Sequence, residues 1–211
     1  MKIETPRLRQ AYEQTSSFET CLEEDNFIEN KQFENITISN LALDSLHLDG
    51  CCFKNVFFEE CNFNSIDIID TTFINCDLSN SKFTNGGIHR TEFKNCRCMG
   101  IDFSQCTIHN VLFQDLNARY ANMSDCKFKQ VILQNCDFTN SSFVQTSFQK
   151  TVFDECNLTQ GEFYNTALRG LDLSTSNIQE IGISIDLIKG VSVNSQQALL
   201  LASLLGIIIK D

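Results

Sequence analysis

The stretch Phe53-Lys-Asn-Val-Phe-Phe58-Glu-Glu-Cys-Asn-Phe63 sets three phenylalanines five residues apart. Followed in both directions, the step holds from Ile28 to Val193, where every fifth residue is apolar over 34 successive positions. With Phe18 counted, 16 of the 18 Phe residues stand in this one register. Its weakest members are Cys98 and Ala118. A period of five is neither the two of a strand nor the 3.6 of a helix. The chain is therefore a repeat array, and its function must be read from the surface of that array.

Two sites in each five point inward: the central apolar residue and the one two before it, which is small or aliphatic, as in Cys51, Val56, Cys61, Ile66 and Thr71. The residue between them points outward, as alternation along a short strand requires. The remaining two are polar and often Asn, which favours turns and tolerates the left-handed region. Each unit is thus a brief strand and a corner, and four corners close a square coil of 20 residues. Phe33, Phe53, Phe73, Phe93 and Phe113 are expected to stack along one wall. Nine of the 11 Cys residues sit two before a central position and Cys98 is itself central, which leaves Cys52 out of phase. That phase reads as thiol packing. The Cys51-Cys52 and Cys96-Arg-Cys98 pairs lack a second ligand pair at zinc spacing, so neither metal nor cofactor is expected.

The unbroken phase argues for one domain, with residues 1–27 as a polar N-terminal cap, 28–193 as the array and 194–211 as a C-terminal dimerisation helix and strand, the strand at Ile207–Ile209. Leu8, Tyr12 and Leu22 would cover the first coil, although Glu23 stands where a central residue belongs. A net charge of −11 and a pI near 4.7 argue against direct binding of nucleic acid or an anionic membrane and suit a basic partner. The start MKIETPRLRQAYEQ has no signal-peptide core and no apolar run is long enough to span a bilayer, so a cytoplasmic protein is expected. Asn194 or Ser195 would cap a helix running to Leu205 and stopped by Gly206. That helix is apolar nearly all round. Leu199, Leu200, Leu201, Leu204 and Leu205, followed by Ile207, Ile208 and Ile209, point to a twofold copy as the second burial partner.

The units Cys76-Asp-Leu-Ser-Asn80, Cys136-Asp-Phe-Thr-Asn140 and Cys156-Asn-Leu-Thr-Gln160 resemble the pentapeptide repeat family, whose pattern is A(D/N)Lxx, with Cys replacing Ala. The resemblance implies an all-β fold, a right-handed quadrilateral β-helix, here with a short C-terminal α-helix. Gly190-Val-Ser-Val193 with Gln197-Ala-Leu-Leu-Leu-Ala-Ser-Leu-Leu-Gly206-Ile is similar to the closing segment of the quinolone-resistance (Qnr) branch. Gly170-Leu-Asp-Leu-Ser174 looks similar too. That branch implies a homodimer through the C-termini and mimicry of duplex DNA at DNA gyrase and topoisomerase IV, which protects them from fluoroquinolones. The phase never breaks for a loop, as in Gram-positive and mycobacterial relatives.

Nothing in the pattern converges into a catalytic site, because a filled square rod offers no pocket, and no catalytic residue is expected. His89 and His109, 20 residues apart, should stack as surface groups, and Gly86-Gly87 reads as a tight backbone spot. Sorting outward residues by the 20-residue period gives four faces. The first, with central residues 38, 58, 78 and onward, carries Glu59, Glu60, Asp77, Asp137 and Glu180 against Arg97 and Arg119. The second, with central residues 43, 63, 83 and onward, carries Asp44, Asp102, Asp125 and Glu162 against Lys82. The third gathers Arg90, Lys127, Lys129, Lys150, Arg169 and Lys189 beside the two histidines. The fourth is mixed and holds a file of amides at Asn35, Asn55, Asn75, Asn95 and Asn135. The acidic residues Glu59, Glu60, Asp77, Asp102, Asp125, Asp137 and Glu162 are the candidate topoisomerase contacts. The alternative reading is a structural or protein-interaction scaffold with an unrelated partner.

Overall fold

The computed structural model describes residues 1–8, 12–15, 17–22 and 26–210. It is a quadrilateral β-helix of about eight coils, closed by one helix, Ser195–Leu204. Strand pairing is parallel with a register of 20: Phe33 faces Phe53, Phe53 faces Phe73, and Phe73 faces Phe93. The central residues fill the interior, and of the 34 only Leu43, Phe148, Ile183, Ile188 and Val193 fall short of full burial. Along the fourth face the rings of Phe53, Phe73 and Phe93 stack with centroids 4.8 and 4.7 Å apart and planes within 4°. Each buried ring contributes roughly 1.5–3 kcal/mol relative to exposure.

Corners share one backbone feature. From Asn30 to Gln160 the residue two after each central position has positive φ, whether Asn, Asp, Gly or a residue as bulky as Arg90 or Tyr120. Asn is frequent there because its short polar side chain lowers the cost of the left-handed region. The corner N–H meets a carbonyl of the next coil, as in Asn55 to Ile74 at 3.0 Å. Asn amides also bond along the rod: Asn55 Nδ2 donates to Asn35 Oδ1 at 2.9 Å and Asn95 Nδ2 to Asn75 Oδ1 at 2.8 Å.

The inward site two before the centre has a polar task as well as a packing one. Cys51, Cys61, Cys76, Cys96, Cys106, Cys126, Cys136 and Cys156 each direct Sγ at the carbonyl of the central residue 23 positions earlier, at 3.1–3.5 Å. Ser81, Ser141, Thr146 and Thr166 donate to the same kind of carbonyl. A thiol or hydroxyl small enough for the interior thus satisfies a backbone acceptor that Ala would leave to others. Burial pushes Cys51 up to about 12 and Cys106 to about 11, so both remain thiols at neutral pH. Gly86 holds one of these inward sites, and a Cβ there would collide with the Ile66 backbone.

The walls are of two kinds, each kind on two adjacent faces. On the third and fourth faces the strands Gly87–Lys94, Thr107–Gln114, Lys127–Gln134 and Ser147–Asp154 run eight residues through the shared corner. On the first and second faces, beyond the early coils, pairing shrinks to single bridges, apart from Glu162–Phe163 with Gly182–Ile183, and the chain turns at once. There the corner is bonded across, as in Ser81 N–H to Leu78 O at 3.2 Å, with the positive φ third in the turn as type II requires.

The ends depart from the repeat. Glu13–Thr15 pairs with Lys31–Glu34 in a register of 18, two residues short of the array. Phe18 is buried against Phe33 and Phe53 at 5.3 and 6.3 Å, and Leu22 packs beside the core, so these two cover the first coil. Tyr12 is half-buried; its hydroxyl is pushed up to about 12, first by burial and then by Cys52 and Cys51. Leu8, expected to help cover that coil, is exposed instead. Residues 4–7 run along the side of the rod, where Arg7 N–H donates to Asp70 Oδ1 at 3.0 Å and Glu4 N–H to Asn110 Oδ1 at 3.3 Å. Glu23 lies outside the described residues. No helix among the described residues is long and apolar enough to cross a membrane.

Candidate protein-interaction surface

The residue before each central position on the first face forms one ladder: Phe57, Asp77, Arg97, Asn117, Asp137, Asn157 and Asn177. On the second face the ladder is Lys82, Asp102, Asn122, Ser142 and Glu162. The expected acids therefore lie on two adjacent walls, but they are not equivalent. Asp77, Asp102 and Asp137 are half-buried, and each turns Oδ1 back onto its own backbone, accepting the N–H of Ser79, Ser104 or Thr139 at 3.0, 2.9 and 3.1 Å. These are Asx turns, and they give Asp and Asn a structural reason to precede the centre wherever the chain must turn at once. Asp77 also lies 3.8 Å from Arg97, and Asp137 accepts from Asn157 Nδ2 at 3.2 Å. Glu59 is exposed and takes a hydrogen bond from Ser39 Oγ at 3.1 Å. Glu60, Asp125 and Glu162 are exposed, with no hydrogen bond or ion pair to their carboxylates among the described residues. Of the seven acids, these three are the most available to a partner.

The opposite wall is less basic than its composition implies. Arg90 is tied to Asp70 through two bonds of 2.6 Å and has little exposure. His89 and His109 stack at 4.7 Å with their planes 5° apart, one coil from each other, as the 20-residue spacing predicts. Burial, reinforced by Arg90 and His109, lowers the pKa of His89 and keeps it neutral at physiological pH.

At the C-terminus, Asn194 caps the helix in a capping box with Gln197. The Gln197 amide enters the last coil, where its Nε2 donates to the carbonyls of Leu173 and Ser176 at 2.8 and 2.6 Å. Gly206 has φ 75°, and the bonds Gly206 N–H to Ser203 O and Ile207 N–H to Ala202 O make a Schellman closure. Leu199, Leu200, Leu204, Leu205, Ile207 and Ile208 are exposed. Leu201 is the exception to the expected dimer set: it packs onto the core of its own rod. Ile207–Ile209 form no strand within the single chain.

Large apolar side chains outside the five-residue register also lie on the acidic walls. Phe57 is 50% exposed beside Glu59, Glu60 and Asp77, and Tyr120 is 54% exposed with the Arg119 guanidinium 5.8 Å from its ring centroid. One sequence signal was present: Phe27 and Phe57 are the two Phe residues outside the five-residue register. Phe27 stacks on His47 at 4.7 Å, whereas Phe57 faces outward. Among the described residues there is no group of three or more His, Cys, Asp or Glu placed to hold a metal ion.

Two family models match the chain. One, described as a pentapeptide repeat region, matches residues 66–139; the other, described as pentapeptide repeats in eight copies, matches residues 43–85, 121–160 and 136–174. Together they cover residues 43–174 without a gap, and neither describes a catalytic domain. No curated protein matches the chain. Among solved structures, the chain is similar to a trypsin-treated form of QnrB1, a plasmid-mediated fluoroquinolone resistance protein. The identity is 25%, covering 85% of this chain and 90% of that one, with a TM-score of 0.49. Full-length QnrB1 aligns at 26% identity over 86% of this chain and 90% of that one, with a TM-score of 0.41. HetL, a pentapeptide repeat protein involved in heterocyst differentiation regulation from the cyanobacterium Nostoc, aligns at 10% identity over 79% and 86%, with a TM-score of 0.41.

Proposed function

The chain is a pentapeptide repeat protein, and we propose that it is a non-catalytic DNA mimic that binds DNA gyrase and topoisomerase IV and protects them from fluoroquinolones. The observation that carries this reading is the gathering of carboxylates on two adjacent faces of the rod, with no hydrogen bond or ion pair to the carboxylates of Glu60, Asp125 and Glu162 among the described residues. An acidic stripe of this kind is drawn to the basic groove in which such enzymes hold duplex DNA. The tail resemblance to the Qnr branch, carried by Gly190–Val193 and Gln197–Gly206, supports the same assignment.

Two copies joined through the exposed leucine face of the C-terminal helix would double the rod. About eight coils at ~4.8 Å give roughly 40 Å per chain and about 80 Å for the pair, the length of about 24 base pairs. The pair would carry twice the chain's −11, or −22, well below the charge of such a duplex. Shape and the hydrogen bonds of outward Asn and Ser residues must therefore contribute. The second reading, a scaffold with an unrelated partner, draws on one observation: Asp77, Asp102 and Asp137 serve their own turns, which any acidic solenoid of this kind would need.

Gyrase supercoiling separates the two readings. Purified protein at micromolar concentration or below should restore supercoiling in the presence of ciprofloxacin. Charge reversal at Glu60, Asp125 and Glu162 should weaken the rescue more than reversal at Lys127 and Lys129. No rescue, together with no inhibition at higher concentration, rejects the topoisomerase assignment.

A further inference from the structure

We propose that the two acidic faces form a docking surface anchored by Phe57, Met99, Tyr120 and Tyr164, and that the surface selects an arginine-lined protein partner over a lysine-lined one. This rests on the reading above that these faces meet a basic protein groove, and it adds what grips that groove and which cation is preferred. Between Asn26 and Glu180 these four are the exposed large apolar side chains, at 50%, 43%, 54% and 47%. All four fall on the first and second faces, and none on the third or fourth. Solubility alone gives a rod no reason to sort them so. Aromatic and Met side chains ringed by polar groups are the composition of protein interfaces and of their energetic centres.

The anchors are held in place. Phe57 sits in its ladder between Thr37 and Asp77, in a groove shared with Glu59 and Glu60. Tyr164 lies against the next coil at Gly182, where an added Cβ would come within 2.8 Å of the ring Cζ. The glycine makes the room that the ring occupies. Tyr120 already receives a guanidinium from Arg119, so the surface accommodates this contact within its own chain. Arg97 and Arg119, the basic residues of the first face, lie against Asp77 and Tyr120; they offset part of the charge of Glu59, Glu60, Asp77, Asp137 and Glu180, and the face remains net acidic.

Carboxylates alone attract Lys and Arg alike, because charge is all they read. A guanidinium additionally lies on aromatic faces and forks onto carboxylates, whereas a strongly hydrated ammonium does both less well. From Phe57 to Tyr164 the anchors span about five coils, roughly 25 Å at ~4.8 Å each. That span fits an extended protein surface rather than a small ligand.

Fluorescence anisotropy with labelled octa-arginine and octa-lysine peptides tests the proposal on the full chain. The wild type should bind the arginine peptide tighter by about threefold or more. The variant carrying Phe57→Ser, Tyr120→Ser and Tyr164→Ser should keep its lysine-peptide affinity and lose the preference. Equal affinities in the wild type, or a preference that survives in the variant, overturn the proposal. The three single variants, each expected to lose part of the preference, replace the triple if it does not fold. A parallel gyrase-binding arm separates this proposal from the reading it rests on. Arginine preference without gyrase binding rejects the topoisomerase and retains the anchors. Gyrase binding without preference rejects the anchors and retains the topoisomerase.

Discussion

Arg90 reaches down one coil and grips Asp70 with two hydrogen bonds of 2.6 Å, while both residues hold left-handed corner conformations with φ of 46° and 49°. Asp70 also takes the Arg7 N–H at 3.0 Å, so a single carboxylate joins two coils and the N-terminal segment. Burial by itself would raise the Asp70 pKa, but the bonds from Arg90 and Arg7 outweigh it and hold the carboxylate below its usual range. Arg90→Leu strands that carboxylate and should destabilise the fold by about 3 kcal/mol, the low end for a broken buried pair, because the site keeps some solvent contact. Guanidinium melts measure this. Adding Asp70→Asn should recover part of the loss, and a strictly additive double variant would refute the coupling.

The five-residue register, the inward sites, the sorting of charge onto walls and both ends of the C-terminal helix were legible because each depends on neighbours at fixed spacing. What escaped has other causes. The bonds from residues 4 and 7 cross 106 and 63 positions of sequence, and no local pattern encodes them. Asp77, Asp102 and Asp137 look like free charge in a sequence, since an Asx turn is visible only when the side chain is seen to fold back. Leu201 and its neighbouring leucines are identical as letters, and only packing separates the one that touches its own core from those left outside.

Gln197 stops the open end of the last coil by satisfying the carbonyls of Leu173 and Ser176. Gln197→Ala leaves both acceptors without that amide and removes half of the capping box. Loss of about 1–3 kcal/mol is expected, with the protection of the last coil's amides in hydrogen exchange falling first. Unchanged exchange there would show that water replaces the amide at no cost.

Leu200 and Leu204 are exposed, whereas Leu201 faces the rod. Leu200→Asp with Leu204→Asp should convert the proposed dimer to a monomer in sedimentation equilibrium while leaving the melting temperature of the repeat nearly unaltered. Leu201→Asp should instead lower the melting temperature. A double variant that sediments as wild type removes this helix from any interface.

Acid should weaken the fold in two separate windows. His89 is held below its ordinary value of 6.5, first by burial and then by Arg90 and His109. The unfolded chain therefore binds the proton more readily, and stability falls as pH drops below about 6.5 until the folded ring also protonates. Asp70, lowered from 3.8, adds stability that is lost only when pH falls through its folded value. Melting temperatures at about pH 7.5 and 5.5 should differ for the wild type, and His89→Gln should narrow that gap. An undiminished gap in the variant would assign the loss to other groups.

The unbroken step of five residues gives the rod a rule for insertion and deletion. Removing 20 residues takes out one full turn and returns every later side chain to the wall it occupied before, only nearer the start. Removing five rotates everything downstream by a quarter turn, so that the carboxylate walls ahead of the cut line up with different walls behind it. Both changes keep an inward pair in every unit, and a cut that keeps Gly86 over the Ile66 backbone spares the tightest contact. Length and facial alignment can therefore be varied independently in this chain, and a protein cut in steps of five would report whether a partner reads one continuous stripe or only a short segment of it.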